Sequence, residues 1–129
     1  GTNIPGRDKV SARTILDARR EVLAVQVSNA VERYMVALVA ASRRPADYSQ
    51  SPLSRWISVG ASPRGTLALD RASRAHAWLD GRDAVLPDDV KAVAHACLRH
   101  RIILTYEAEA DGVTRDAVLD EILTQVAVA

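Results

Sequence analysis

The segment Gly60-Ala61-Ser62-Pro63-Arg64 combines the residue types best suited to chemistry in this 129-residue chain. Ser62 is a strong helix N-cap and Pro63 a preferred first helical residue, so the pair predicts a sharp helix start. The first turn of a helix leaves N–H groups unpaired and carries the positive end of the macrodipole. Such an end attracts phosphate. Arg64 adds a permanently charged guanidinium shaped to fork onto phosphate oxygens. Gly60, without a side chain, permits close approach of backbone to a ligand. A plainer reading competes: Ser-Pro followed by a charged residue is also an ordinary helix start, and an anion site at a helix end needs a facing partner.

Other candidates are weaker. His95, Cys97 and His100 suggest a metal, but Cys97 falls on an apolar helix stripe while the two histidines point away from it and from each other, so no metal site is expected. His76 borders an alanine stripe and reads as packed or capping. No Ser/His/Asp spacing stands out from chance. Arg64, Arg71 and Arg74 share one side of a helix with Leu67 and Trp78. That side is either a solvated rim with arginine stems over Trp78, or a basic surface facing a nucleotide or a neighbouring subunit. Arg43 could cap carbonyls at the end of its own helix. Nothing matches G-x-x-x-x-G-K-[ST], and no apolar strand ends in paired acids, so the chain lacks the cradle and metal site of a P-loop ATPase.

The elements that must position these residues are helical. Gly1 to Gly6, with two glycines and a proline, reads as part of a linker over residues 1–9. From Ser11 the pattern turns helical, with Ala12, Ile15, Leu16, Val22 and Leu23 on one face. Val25-Gln26-Val27 is a short extended candidate. Ser28 or Asn29 then caps a second helix, Glu32 standing three residues after Asn29 as in a capping box. Val31, Tyr34, Met35, Leu38 and Val39 form its stripe, and Pro45 requires it to stop.

Residues 45–58 read as an irregular connection, with Trp56-Ile57-Ser58-Val59 a strand or an apolar plug. A third helix runs from Ser62-Pro63 to about Leu79 with Ala68, Ala72, Ala75 and Leu79 as its expected buried face, and Gly81 ends it. Pro87 opens a fourth with Val90, Val93, Ala94, Cys97 and Leu98. Asp111-Gly112 turns the chain, Thr114 caps, and Val118, Leu119, Ile122, Leu123 and Val126 line a fifth. The expected fold is all-α, a small bundle of about five helices. A minor strand pair would join Val25-Gln26-Val27 to 56–59 or 101–104.

Composition agrees with one such domain. Apolar residues make up 48% and Phe is absent, so aliphatic side chains and alanine must fill the interior. Seventeen basic and 16 acidic residues leave a net charge of +1, which gives no general reason to bind nucleic acid or membrane. The lone Cys97 precludes an internal disulfide and suits a reducing compartment. No stretch approaches the roughly 20 apolar residues that span a bilayer, and no signal-peptide pattern opens the chain. The expected location is cytoplasmic. A start at Gly1 suggests a piece of a longer protein.

From about Val10 to the C-terminus the chain resembles the C-terminal lid of MoxR-family AAA+ ATPases, giving a domain over 10–129. The resemblance rests on Ala41-Ser42-Arg43-Arg44, Gly60-Ala61-Ser62-Pro63-Arg64, Leu79-Asp80-Gly81-Arg82-Asp83, Pro87-Asp88-Asp89-Val90-Lys91-Ala92 and Leu98-Arg99-His100-Arg101, in that order. It implies that Arg64 is the sensor-2 arginine. It also implies that Gly60, Ala61, Ser62, Pro63 and Arg64 line a nucleotide site completed by an upstream P-loop core holding ATP and Mg2+. It further implies a parent ATPase in a hexameric ring, chaperone-like remodelling or maturation of client proteins, and von Willebrand A-type partners. The segment alone would not hydrolyse ATP.

The sequence departs from that pattern in three places. Leu86 stands where a Thr usually caps the fourth helix, leaving Asp88 and Asp89 to serve its N-terminus by charge. Ser42 replaces a commoner Thr, and 45–59 is longer on irregular residues, with no role assigned. Two readings stay open beside the lid: a free-standing adaptor binding a partner helix in its groove, and a helical nucleic-acid binder using Arg43, Arg44, Arg71 and Arg74.

Overall fold

The computed structural model describes residues 11–128, so the linker expected over 1–9 lies outside the described residues. Hydroxyl caps set several helix starts. Ser11 accepts from the Thr14 N–H at 3.1 Å and opens α1 (Ala12–Ala24). Ser28 accepts from the Val31 N–H at 3.2 Å and opens α2 (Asn29–Arg43). The capping box of Asn29 with Glu32 does not form, because Asn29 is already helical and the Glu32 N–H closes onto the Ser28 carbonyl at 2.9 Å. α2 stops at Arg43, two residues before the proline that forbids its continuation.

The stretch expected to be irregular holds a 3-10 turn (Pro45–Asp47), a single helical turn α3 (Leu53–Trp56) and strand β1 (Ile57–Val59). α4 (Arg64–Leu79) and α5 (Pro87–Leu98) follow, then a 3-10 turn (Arg99–Arg101), β2 (Ile103–Leu104), α6 (Tyr106–Ala110) and α7 (Arg115–Gln125). The five expected helices are all present. The two further ones, α3 and α6, are 4 and 5 residues long, too short for apolar periodicity to register.

α4 is the hub, packing most extensively against α5 and also against α1 and α2. The buried stripe of α2 is the expected one: Val31, Tyr34, Met35, Leu38 and Val39 are all inside. That of α4 is not. Its buried residues are Gly65, Leu69, Ser73 and Ala77, while the alanines expected there lie half-buried on the flank and Leu79 is 78% exposed. The helix instead turns Gly65, Ser73 and Ala77 inward beside Leu69, and these small residues let it approach α5. A Cβ on Gly65 would stand 3.1 Å from a Leu98 methyl. With no Phe, the interior is closed by Leu38, Leu53, Leu98, Ile102, Leu119 and Ile122 around Tyr34.

The strand pair differs from expectation in partners. β1 pairs antiparallel with β2, Ile57 opposite Leu104 and Val59 opposite Ile103, with an irregularity between them. The Val25-Gln26-Val27 stretch forms an isolated parallel bridge from Gln26 to Ala84. α1 departs as well. Its apolar face is largely open, Ile15, Leu16 and Leu23 being 49–62% exposed, and none of its residues is buried. It meets α4 along one edge, where Arg74 donates to the Leu23 carbonyl at 3.1 Å and to that of Val25.

α4 ends as its glycine demands. Gly81 takes φ +77°, its N–H bonds Trp78 O at 3.0 Å, and the Arg82 N–H bonds Ala77 O at 2.9 Å, a Schellman closure.

Candidate functional site

Arg64 is positioned by a loop that leans on the end of α2. Ser62 is the residue at which helical geometry begins: its Oγ accepts from the Arg64 N–H at 3.3 Å and its carbonyl from the Gly65 N–H at 2.8 Å. Pro63, with φ −55° and ψ −20°, already has helical dihedrals. The expected start of α4 is therefore met in its dihedrals, although helical hydrogen bonding is counted from Arg64.

The residues ahead of it face inward. Ala61 is fully buried, its N–H donated to Ser42 Oγ at 3.0 Å and its carbonyl accepting from an Arg43 Nη at 3.4 Å. A Cβ on Gly60 would fall 2.1 Å from the Ser42 carbonyl oxygen, so the close approach at this glycine is to the end of α2. Arg64 itself is exposed, and among the described residues its side chain makes no hydrogen bond or ion pair. Gly60 to Arg64 thus form one corner, its base locked and its charged tip free.

Some other arginines are engaged. Arg43 reaches the Ala61 carbonyl rather than the carbonyls of its own helix end. Arg74 pairs with Asp70 at 3.1 Å and clasps the end of α1. Trp78 donates from Nε1 to Glu21 at 3.1 Å, a tie to α1. Arg71 lies on an open apolar groove with Ile15, Ala18, Val22 and Leu23. Two of the four arginines invoked for nucleic acid, Arg43 and Arg74, thus bind main-chain carbonyls of the same chain.

The strongest electrostatic cluster was not foreseen. Asp89, fully buried at the start of α5, accepts a two-pronged contact from Arg82 at 2.6 and 2.7 Å. It also accepts from the Leu86 N–H at 2.7 Å and meets His76 Nδ1 at 2.6 Å. The Arg82 guanidinium, then the Leu86 N–H and His76, hold its carboxyl well below the usual carboxylate range despite burial. Asp89 thereby replaces the hydroxyl cap that Leu86 cannot provide, by a directed bond as well as by charge. His95 pairs with Asp120 at 2.7 Å, and Cys97 contacts the Ala68 carbonyl with burial raising its thiol pKa. Among the described residues no three His, Cys, Asp or Glu side chains converge as a metal site would require.

The model of the AAA lid domain matches residues 53–122, more than half of the chain. The chain belongs to that family. The chain is similar to MoxR proteins. It is 40% identical over 101 residues to the protein named Chaperone MoxR1 of Mycobacterium tuberculosis, covering 78% of this chain and 27% of that one. It is 46% identical over 82 residues to Protein MoxR of Paracoccus denitrificans, covering 60% of this chain and 24% of the relative. A crystal structure of a protein of Cytophaga hutchinsonii, provisionally called an ATPase, superposes with a TM-score of 0.87 at 40% identity over 91% of this chain and 36% of that chain. The lid therefore spans about a quarter to a third of the length of these relatives. No helix among its described residues is long and apolar enough to cross a membrane.

Proposed function

We propose that this lid supplies Arg64 as the sensor-2 arginine to ATP and Mg2+ held by a P-loop core upstream in the same polypeptide. The observation carrying the reading is the contrast within one corner: an exposed, partnerless guanidinium projects from a base whose backbone is bonded on both sides. A terminal phosphate brought to this corner would meet the positive end of a 16-residue helix and the forked donor of Arg64.

The cradle, the metal and the attacking water belong to the core, since phosphoryl transfer is mostly positioning and charge stabilisation by such parts. The lid adds one charge that feels whether the γ-phosphate is there. Loss of that phosphate removes the attraction and frees the lid to change its angle to the core. On this reading the lid occupies 10–129 and the intact protein works in the cytoplasm, in a hexameric ring. There it remodels client proteins with partners of the von Willebrand A type. The chaperone name of the mycobacterial relative supports the remodelling part.

The test is Arg64→Ala in the intact polypeptide. ATP turnover should fall about a hundredfold, as when a preorganised donor to a transition state is removed. Thermal unfolding of the lid should be unchanged, because Arg64 has no partner to lose. Turnover at the wild-type rate would take Arg64 out of the account.

A further inference from the structure

Ser42 has a hydrogen-bonding duty that needs a hydroxyl. It is fully buried at the end of α2, where its Oγ donates to the Val39 carbonyl at 2.7 Å and accepts the Ala61 N–H at 3.0 Å. A hydroxyl has one proton, so giving it to Val39 leaves a lone pair in a fixed direction, and that direction meets Ala61. Two neighbouring contacts hold the same spot. Gly60 is pressed against the Ser42 carbonyl, and Arg43 reaches the Ala61 carbonyl. The loop is thus registered on residues 42 and 43, although 19 positions separate Ser42 from Ala61. Arg64 follows Ala61 by a single turn.

We infer that Ser42 is a positioning residue for nucleotide sensing: its hydroxyl sets the height and rotation of the first turn of α4, and so where the Arg64 guanidinium stands. The inference rests on the sensor reading of Arg64 and deepens it. Removing the hydroxyl leaves a buried N–H without a partner, and the loop shifts to find another. A displacement of about 1 Å in a group that must meet a phosphate is costly in rate while leaving the fold intact. Thr keeps both bonds. Cys keeps the size but accepts poorly.

The test is a double-mutant cycle in the intact ATPase polypeptide, following kcat and KM for ATP. With Arg64 present, Ser42→Ala should lower kcat/KM about tenfold, with Ser42→Thr restoring most of it. In an Arg64→Ala background, Ser42→Ala should cost nothing further, because there is no guanidinium left to misplace. An equal fractional loss in both backgrounds, or a fall in kcat at unchanged KM that tracks the folded fraction, would overturn the inference and leave the sensor reading standing. An ineffective Arg64→Ala would bring down both. Should Ser42→Ala fail to fold, Ser42→Cys is read in the same cycle with the same expected outcomes.

Discussion

The two ends of α4 treat the same functional group in opposite ways. Beyond its C-terminus, Arg82 forks onto the buried carboxylate of Asp89 at 2.6 and 2.7 Å and takes Asp80 as well at 3.1 Å. At its N-terminus, Arg64 stands in solvent with no partner among the described residues. A guanidinium that serves the fold is given a counter-ion, shielded from water, and a second carboxylate on its rim. The Arg64 guanidinium is left bare, and only the backbone beneath it is fixed, as the proposed sensor role requires. The difference separates an arginine that holds the lid together from one left open to a ligand.

The comparison can be broken at either end. The largest effect is expected from Asp89→Ala, which removes the carboxylate joining Arg82, His76 and the start of α5 and should cost about 3 kcal/mol in chemical denaturation. A change within about 0.5 kcal/mol would show that the cluster does not hold the helices together. Next comes Gly60→Ala at the other end. Its methyl group would meet the Ser42 carbonyl at 2.1 Å, so the loop or α2 must move, at about 2 kcal/mol by the same measurement. Stability equal to the parent chain would mean that the loop is not anchored on α2.

The smallest effect is in acid. The folded state holds the Asp89 carboxyl below the ordinary aspartate range, so below about pH 4 the unfolded chain binds more protons. The contribution is therefore whole above that pH and lost as pH falls toward the lower folded value. A loss of about 1 kcal/mol by pH 3 is expected from this one group. Asp89→Asn should lack that part of the acid limb, whereas Asp116, lowered by Arg99, contributes in both proteins. Identical acid limbs would refute the assignment.

Much of this is legible in the sequence. Ser11, Ser28, Ser62 and Thr114 mark helix starts because a hydroxyl before an apolar run has one good use, and the α2 stripe follows from its spacing. The buried face of α4 was not legible, since Gly65 and Ser73 carry no apolar signal and are inside because they are small. The β1–β2 pair joins two very short strands far apart in the chain, with no hairpin turn to announce them. Asp88 and Asp89 look alike in sequence, yet only Asp89 is buried, which depends on Arg82 arriving from the turn after α4. Ser42 reads as a stand-in for threonine until the Gly60-Ala61 loop is seen lying against it. The locked base of the candidate site was hidden, and its free tip was plain.

The tie between Trp78 and Glu21 gives the domain its own optical probe. Trp78 Nε1 bonds a carboxylate on a helix that contributes nothing to the core, whereas Trp56 lies at the junction of α3 and β1. The two indoles therefore sit at different contacts, Trp78 where α1 meets α4 and Trp56 where α3 meets β1. If α1 lifts away from α4 while the rest of the lid stays folded, Trp78 gains water and its emission moves to the red, while Trp56 keeps its colour. Fluorescence would then report any such release of α1, with no label added.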